Sequence, residues 1–114
     1  MNYRERFFNA MDQKPVDRVP VGFWHHFQGE NWTGQRNIDS HIKYYKEDPL
    51  DFLKIMCDGY FEYPFSEKLE KASDWDRLRP LGKDCEYIRG QIERAKAINS
   101  IFRQDKVCLY NVFV

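Results

Sequence analysis

The stretch Val107-Cys108-Leu109-Tyr110-Asn111-Val112-Phe113-Val114 is almost continuously apolar and rich in β-branched and aromatic residues. That is the pattern of a parallel strand covered on both faces, and parallel strands need helical crossovers between them. The rest of the chain supplies them. Asn2 can cap a short helix, with Glu5 three residues on completing the box and Tyr3, Phe7, Ala10 and Met11 on one face, until Pro15 stops it. Pro15 to Pro20 reads as a turn with an extended entry, and Val19–Trp24 as a strand. His25 to Asn37 has two glycines and no sustained period, so it reads as a long loop.

Helical spacing returns at Ile38, Ile42 and Tyr45, with Asp39 or Ser40 as cap candidates, and ends before Pro49. Leu50–Met56, bounded by Pro49 and Asp58-Gly59, is a second strand. An irregular stretch from Tyr60 to Gly82 follows, with room for a turn or two of helix around Ser73–Leu78. The strongest helix lies between Asp84 and Arg103: Ile88, Ile92, Ala95, Ile101 and Phe102 share a stripe, with Arg94 off it, and Gly90 weakens it by about 1 kcal/mol.

Helix, strand, helix, strand, helix, strand implies an α/β fold with parallel strands. A final strand that reads as covered on both faces, yet has no helix after it, leads to the expectation that these 114 residues are the front portion of a longer chain. An open sheet edge also makes association of copies an expectation.

Composition excludes several classes. Lys plus Arg and Asp plus Glu are both 18, which is not the footprint of a nucleic-acid binder. Aromatics at 17% do not belong to a disordered tail. No apolar run approaches the ~18 residues of a membrane span, and no signal-peptide core follows Met1, so the expected location is cytoplasmic. Three widely spaced cysteines, Cys57, Cys85 and Cys108, form neither a disulfide framework nor a metal motif and read as thiols in a reducing compartment.

Ligands of parallel α/β sheets bind at the carboxyl ends of strands. Asp58, at the end of the second strand and flanked by Tyr60, Phe61 and Tyr63, is the sharpest candidate. A partly desolvated carboxylate there suits a cationic transition state, and Asp-Gly also suits a plain turn in which Gly59 supplies positive φ. His25 and His26 follow the first strand, where one imidazole suits proton transfer or ligand binding, and loop packing among Trp24, Phe27 and Trp32 is the structural alternative. Neighbours on an extended chain point to opposite faces, so the two cannot share one site without a bend.

The opening Arg4–Met11 and Lys14-Pro15-Val16-Asp17-Arg18-Val19-Pro20-Val21, with Leu50-Asp51-Phe52-Leu53-Lys54-Ile55-Met56-Cys57-Asp58, resembles the uroporphyrinogen decarboxylase superfamily, which also contains corrinoid and coenzyme M methyltransferases. Asp74-Trp75 and Leu78-Arg79-Pro80-Leu81 resemble its methyltransferase-like branches. The resemblance implies a (β/α)8 TIM barrel of which residues 1–114 form roughly the amino-terminal third, about three strands and their helices.

It further implies a cofactor-free carboxy-lyase activity of porphyrin biosynthesis, with Asp58 as the catalytic residue that hydrogen-bonds pyrrole N–H groups and His25, His26 and Tyr60 as substrate-binding positions. The 114-residue chain alone is expected to be inactive. In the methyltransferase branch a zinc ion held by His and Cys activates a thiol, and those ligands lie later in the barrel, so no metal site is expected here. The substrate is a small molecule, a tetrapyrrole or a corrinoid-linked group. One departure stands out: the decarboxylase has Arg-Gln-Ala-Gly-Arg after its first strand where this chain has His25-His26-Phe27-Gln28-Gly29. That exchange removes bidentate guanidinium contacts to substrate carboxylates. A non-catalytic module that associates through its sheet edge is the expectation from a different class.

Overall fold

The fold was analysed in a computed structural model that describes residues 1–60, 62, 64–65 and 68–112. Three helices, α1 (Tyr3–Met11), α2 (Gly34–Glu47) and α3 (Glu86–Phe102), accompany two strands, β1 (Phe52–Ile55) and β2 (Val107–Tyr110). The strands pair in parallel from Phe52 opposite Val107 to Ile55 opposite Tyr110, with α3 as the crossover. The chain is therefore α/β, with single-turn 3-10 segments at Gly29–Asn31 and Asp58–Tyr60 and a longer one at Ala72–Arg77.

Local rules account for most boundaries. The Asn2 side chain accepts from the Glu5 amide at 2.7 Å and opens α1, as expected. The helix ends at Met11, before Pro15 can act: Lys14 N–H reaches the Asn9 carbonyl and Gln13 N–H the Ala10 carbonyl, the paired bonds of a Schellman motif. Met11 itself is exposed rather than on the packed face, and Arg6 is the buried residue of α1. Helix α2 starts more than a turn earlier than Asp39 or Ser40 would place it. Both are interior residues whose side chains bond within the helix, Asp39 accepting from Gln35 and Ser40 donating to the Arg36 carbonyl.

The core is small: Tyr45, Leu50, Leu53, Ile55, Ile98 and Phe102, with Ile38 and Ile42 packed against it. Lys106 is buried at its edge and caps the end of α2, its Nζ donating to the Tyr45 and Asp48 carbonyls at 3.0 Å each.

Three expectations are corrected here. Val19–Trp24 is not a strand. Pro20 has no N–H, the Asp51 carboxylate accepts from Val21 N–H at 2.8 Å, Asp51 N–H donates to the Val21 carbonyl at 2.7 Å, and the Tyr45 hydroxyl lies 3.3 Å from the Phe23 carbonyl. Groups that a ladder would use are thus taken individually. Strand β2 is not covered on both faces: its residues are half-buried and Leu109 is exposed, because β1 is its one strand neighbour among the described residues. The last two residues of the expected strand, Phe113 and Val114, lie outside the described residues. Finally, Arg94 faces inward on α3 at 1% exposure, whereas Ile92 and Ile101 are both 44% exposed.

A charge cluster joins the amino-terminal segment to β1. Arg6 forks onto Asp17 at 2.6 and 2.7 Å and reaches Asp51 at 2.6 Å, while Arg18 binds Asp51 at 2.5 and 3.0 Å. Burial alone would raise the Asp51 carboxyl, but hydrogen bonds from Arg18, the Val21 amide and Arg6 outweigh it and hold the group below the usual carboxylate range. The Arg6 hydrogen bond holds Asp17 down likewise.

Candidate functional site

Beyond β1, Met56 and Cys57 are buried and lead into the turn Asp58–Tyr60, closed by Tyr60 N–H on the Cys57 carbonyl at 2.9 Å. Gly59 does not take a left-handed conformation, as an Asp-Gly turn would suggest. Its lack of a side chain serves close approach instead, since a Cβ there would lie 2.3 Å from the Thr33 methyl carbon. The turn is thereby seated against the loop that precedes α2.

The Asp58 side chain points away from its own backbone and meets the loop after residue 24. Its Oδ1 lies 2.6 Å from His26 Nδ1, with the carboxyl 3% exposed and the imidazole 73% exposed. Oδ2 is buried and has no hydrogen-bond partner among the described residues. An ionised carboxylate can only accept, so the pair is Nδ1–H to Oδ1 with Nε2 turned outward. The adjacent His25 goes elsewhere, its ring against Tyr44 and Phe27 at 4.6 and 5.0 Å, as opposite faces of an extended chain require. Of the four expected site residues, the fold joins Asp58 and His26. Tyr60 sits on the same turn, its ring against Arg94 and its carbonyl accepting from the Tyr87 hydroxyl. Phe61 and Tyr63, expected to flank Asp58, lie outside the described residues.

Beneath the turn lies a polar hub absent from the sequence reading. The Arg94 guanidinium donates to Asn37 Oδ1 at 2.7 Å, to the Met56 carbonyl and to the Tyr110 hydroxyl at 3.2 Å, between the rings of Tyr60 and Tyr110. His41, fully buried, accepts from Met56 N–H at Nε2 and donates from Nδ1 to the Asn37 carbonyl. Its pKa is pushed down to about 4 by burial, which the Asn37 hydrogen bond opposes and the Arg94 charge reinforces. Both residues hold the end of β1 where the turn begins. For His41 the available signal was its helical register, since Asn37, His41 and Tyr45 recur every four residues on α2.

A cavity of about 620 Å³ adjoins the turn. Tyr60, Tyr87 and Tyr110 line it with Gln91, Cys57 and apolar residues of α3, including Ile92. Gly90 has a spatial reason here, since the Tyr60 hydroxyl lies 3.1 Å from where a Cβ would stand. Burial pushes the Cys57 thiol up and the Cys108 thiol up to about 11, so both stay protonated at neutral pH. Among the described residues no three His, Cys, Asp or Glu side chains gather as a metal site would need, and no helix is long and apolar enough to cross a membrane.

Comparison with protein-family models, curated proteins and solved structures returns no match to this chain.

Proposed function

We propose that the chain builds the opening β/α units of a uroporphyrinogen decarboxylase-like (β/α)8 barrel, with Asp58 as its catalytic carboxylate. The observation that carries this reading is the position of that group: it follows the carboxyl end of β1, is buried, gives one oxygen to His26 and has no partner for Oδ2 among the described residues. In this role the Asp58 carboxylate acts through its charge, at short range from the pyrrole N–H groups of a porphyrinogen. The negative charge then stabilises the cation formed when a ring carbon is protonated, before the carboxylate of an acetate side chain leaves as carbon dioxide. With imidazoles where the decarboxylase has guanidinium forks, a substrate with fewer carboxylates than uroporphyrinogen fits best.

The Trp32 backbone lies beside Gly59 and its indole bonds the Phe27 carbonyl next to His26, so with Trp24 and Trp75 replaced by Phe the fluorescence of Trp32 reports on the site. Under anaerobic conditions coproporphyrinogen should quench it saturably, and Asp58→Asn should weaken binding about tenfold, equivalent to ~1.4 kcal/mol. Absence of saturable quenching, or equal affinity in the variant, refutes the tetrapyrrole reading.

A second reading, a non-catalytic module that associates through its sheet edge, draws on a different observation. The accessible surface is 8297 Å², against roughly 6,700 Å² for a compact monomer of this size, and Leu109 and Val112 on and after β2 are exposed. Sedimentation velocity separates the two. A concentration-dependent dimer lost on Leu109→Lys supports the module, and a monomer across the range excludes it.

A further inference from the structure

We infer that His26 is the proton carrier of this site and that Asp58 positions it through Oδ1, an inference that rests on Asp58 as the site carboxylate. An exposed ion pair would hold little and wander. This pair is asymmetric: the carboxyl is 3% exposed and the imidazole 73% exposed. The buried carboxylate has one hydrogen-bond partner among the described residues, and releasing the ring would leave both oxygens unsatisfied. The imidazole is therefore held by the cost of leaving that carboxylate bare.

The backbones on both sides are fixed. Asp58 sits on the 3-10 turn seated against Thr33. The segment just after His26 is tied by Trp32 Nε1–H on the Phe27 carbonyl at 2.9 Å, and the Phe27 ring packs on buried His41 at 4.9 Å. With Nδ1–H committed to Asp58, Nε2 is the nitrogen that exchanges protons, and its exposure gives it access to water.

Such a group suits a reaction that consumes a proton. In decarboxylation of an acetate side chain, a carboxylate plus one proton becomes a methyl group plus carbon dioxide. The imidazolium supplies that proton: its Nε2–H bond breaks and a ring C–H bond forms, the C–C bond to the carboxyl breaks to leave an exocyclic methylene, and that methylene takes up a proton as the ring carbon releases one, restoring the pyrrole and completing the methyl group. Neutral imidazole, still bound through Nδ1–H, regains its proton from solvent.

Nitrogen-15 spectra of the histidine-labelled chain test this, with signals assigned from His25→Ala and His26→Gln. In the neutral ring of His26, Nδ1 should read as protonated and Nε2 as unprotonated, opposite to the preferred Nε2–H tautomer of free histidine. In Asp58→Asn the introduced carboxamide can donate to Nδ1, and the two signals should exchange character. His41 is the internal control, because its Nδ1–H pattern is set by Met56 and Asn37 and persists while the chain is folded. A wild-type His26 in the Nε2–H form, or one unmoved by Asp58→Asn while His41 is retained, overturns the inference. Should that variant not fold, the wild-type spectrum decides alone. An Nδ1–H ring in a chain that binds no coproporphyrinogen would keep the dyad and discard the tetrapyrrole, and an Nε2–H ring in a chain that binds it would do the reverse.

Discussion

Asp58, Arg94 and His41 show how differently single residues declare themselves. Asp58 stood out in the sequence because a carboxylate after an apolar run is anomalous. Arg94 did not, because a cation on a helix is ordinarily solvated; what buries it is a set of neutral acceptors drawn from α2, the residue just after β1, and β2. His41 is buried with both nitrogens engaged, and its protonation would break the Met56 bond. Its folded pKa of about 4 lies below the unfolded value of about 6.5, so the unfolded chain binds the extra proton between them. Stability contributed here is complete above about pH 6.5 and is lost as pH falls toward 4, by about 3 kcal/mol in all. Urea unfolding at pH 7 and pH 4.5 should show most of that loss, and His41→Gln should flatten it; a pH-independent midpoint in the wild type would contradict this.

Elements were legible where their reasons are local. The cap of α1, the Ile38, Ile42 and Tyr45 stripe of α2, and the span of α3 all follow from periodicity and capping, which neighbouring residues decide. The expected strand at Val19–Trp24 failed because its backbone partners are the Asp51 and Tyr45 side chains, about 30 and 22 residues away from Val21 and Phe23. Termination of α1 holds a small reserve of stability: Gln13, in the left-handed position of the Schellman motif at φ 57°, carries a side chain where glycine fits better. Gln13→Gly should raise unfolding free energy by about 0.5–1 kcal/mol, relief of strain exceeding the added freedom of the unfolded chain. Denaturant titration with an unchanged slope would check it, and a loss of stability would contradict it.

At the scale of the whole molecule the chain is elongated, with a radius of gyration of 17.4 Å against roughly 13 Å for a compact domain of this length. Its amino-terminal segment is attached chiefly through polar chemistry, the Arg6, Asp17, Arg18 and Asp51 cluster. Two segments distant in sequence, residues 4–21 and 50–58, meet at that cluster, Arg6 and Arg18 from one and Asp51 from the other. Replacing Asp51 by Asn leaves Arg6 buried beside one carboxylate and puts an NH2 donor where one of the two acceptors of Arg18 stood. Hydrogen exchange in Asp51→Asn should therefore lose protection in residues 3–21 first, with α2, β1 and α3 still protected. Uniform loss would show that the cluster supports the core rather than the segment. Since Asp17 and Asp51 are held below the usual carboxylate range, the same release should occur in the wild type as pH falls below about 4, where the unfolded carboxylates protonate first.

Sequence by itself determined the alternation of helix and strand from α2 to β2, the parallel pairing it implies and the placing of Asp58 at a strand's carboxyl end, because periodicity, capping and turn chemistry act over a few residues. Only the tertiary structure decided that His26 rather than His25 meets that carboxylate, that Arg94 turns inward, and that Val19–Trp24 gives its backbone to side chains. Each depends on groups about 20 to 60 residues apart in sequence, and burial of a charge or a backbone amide becomes favourable only once all of its partners have been brought together.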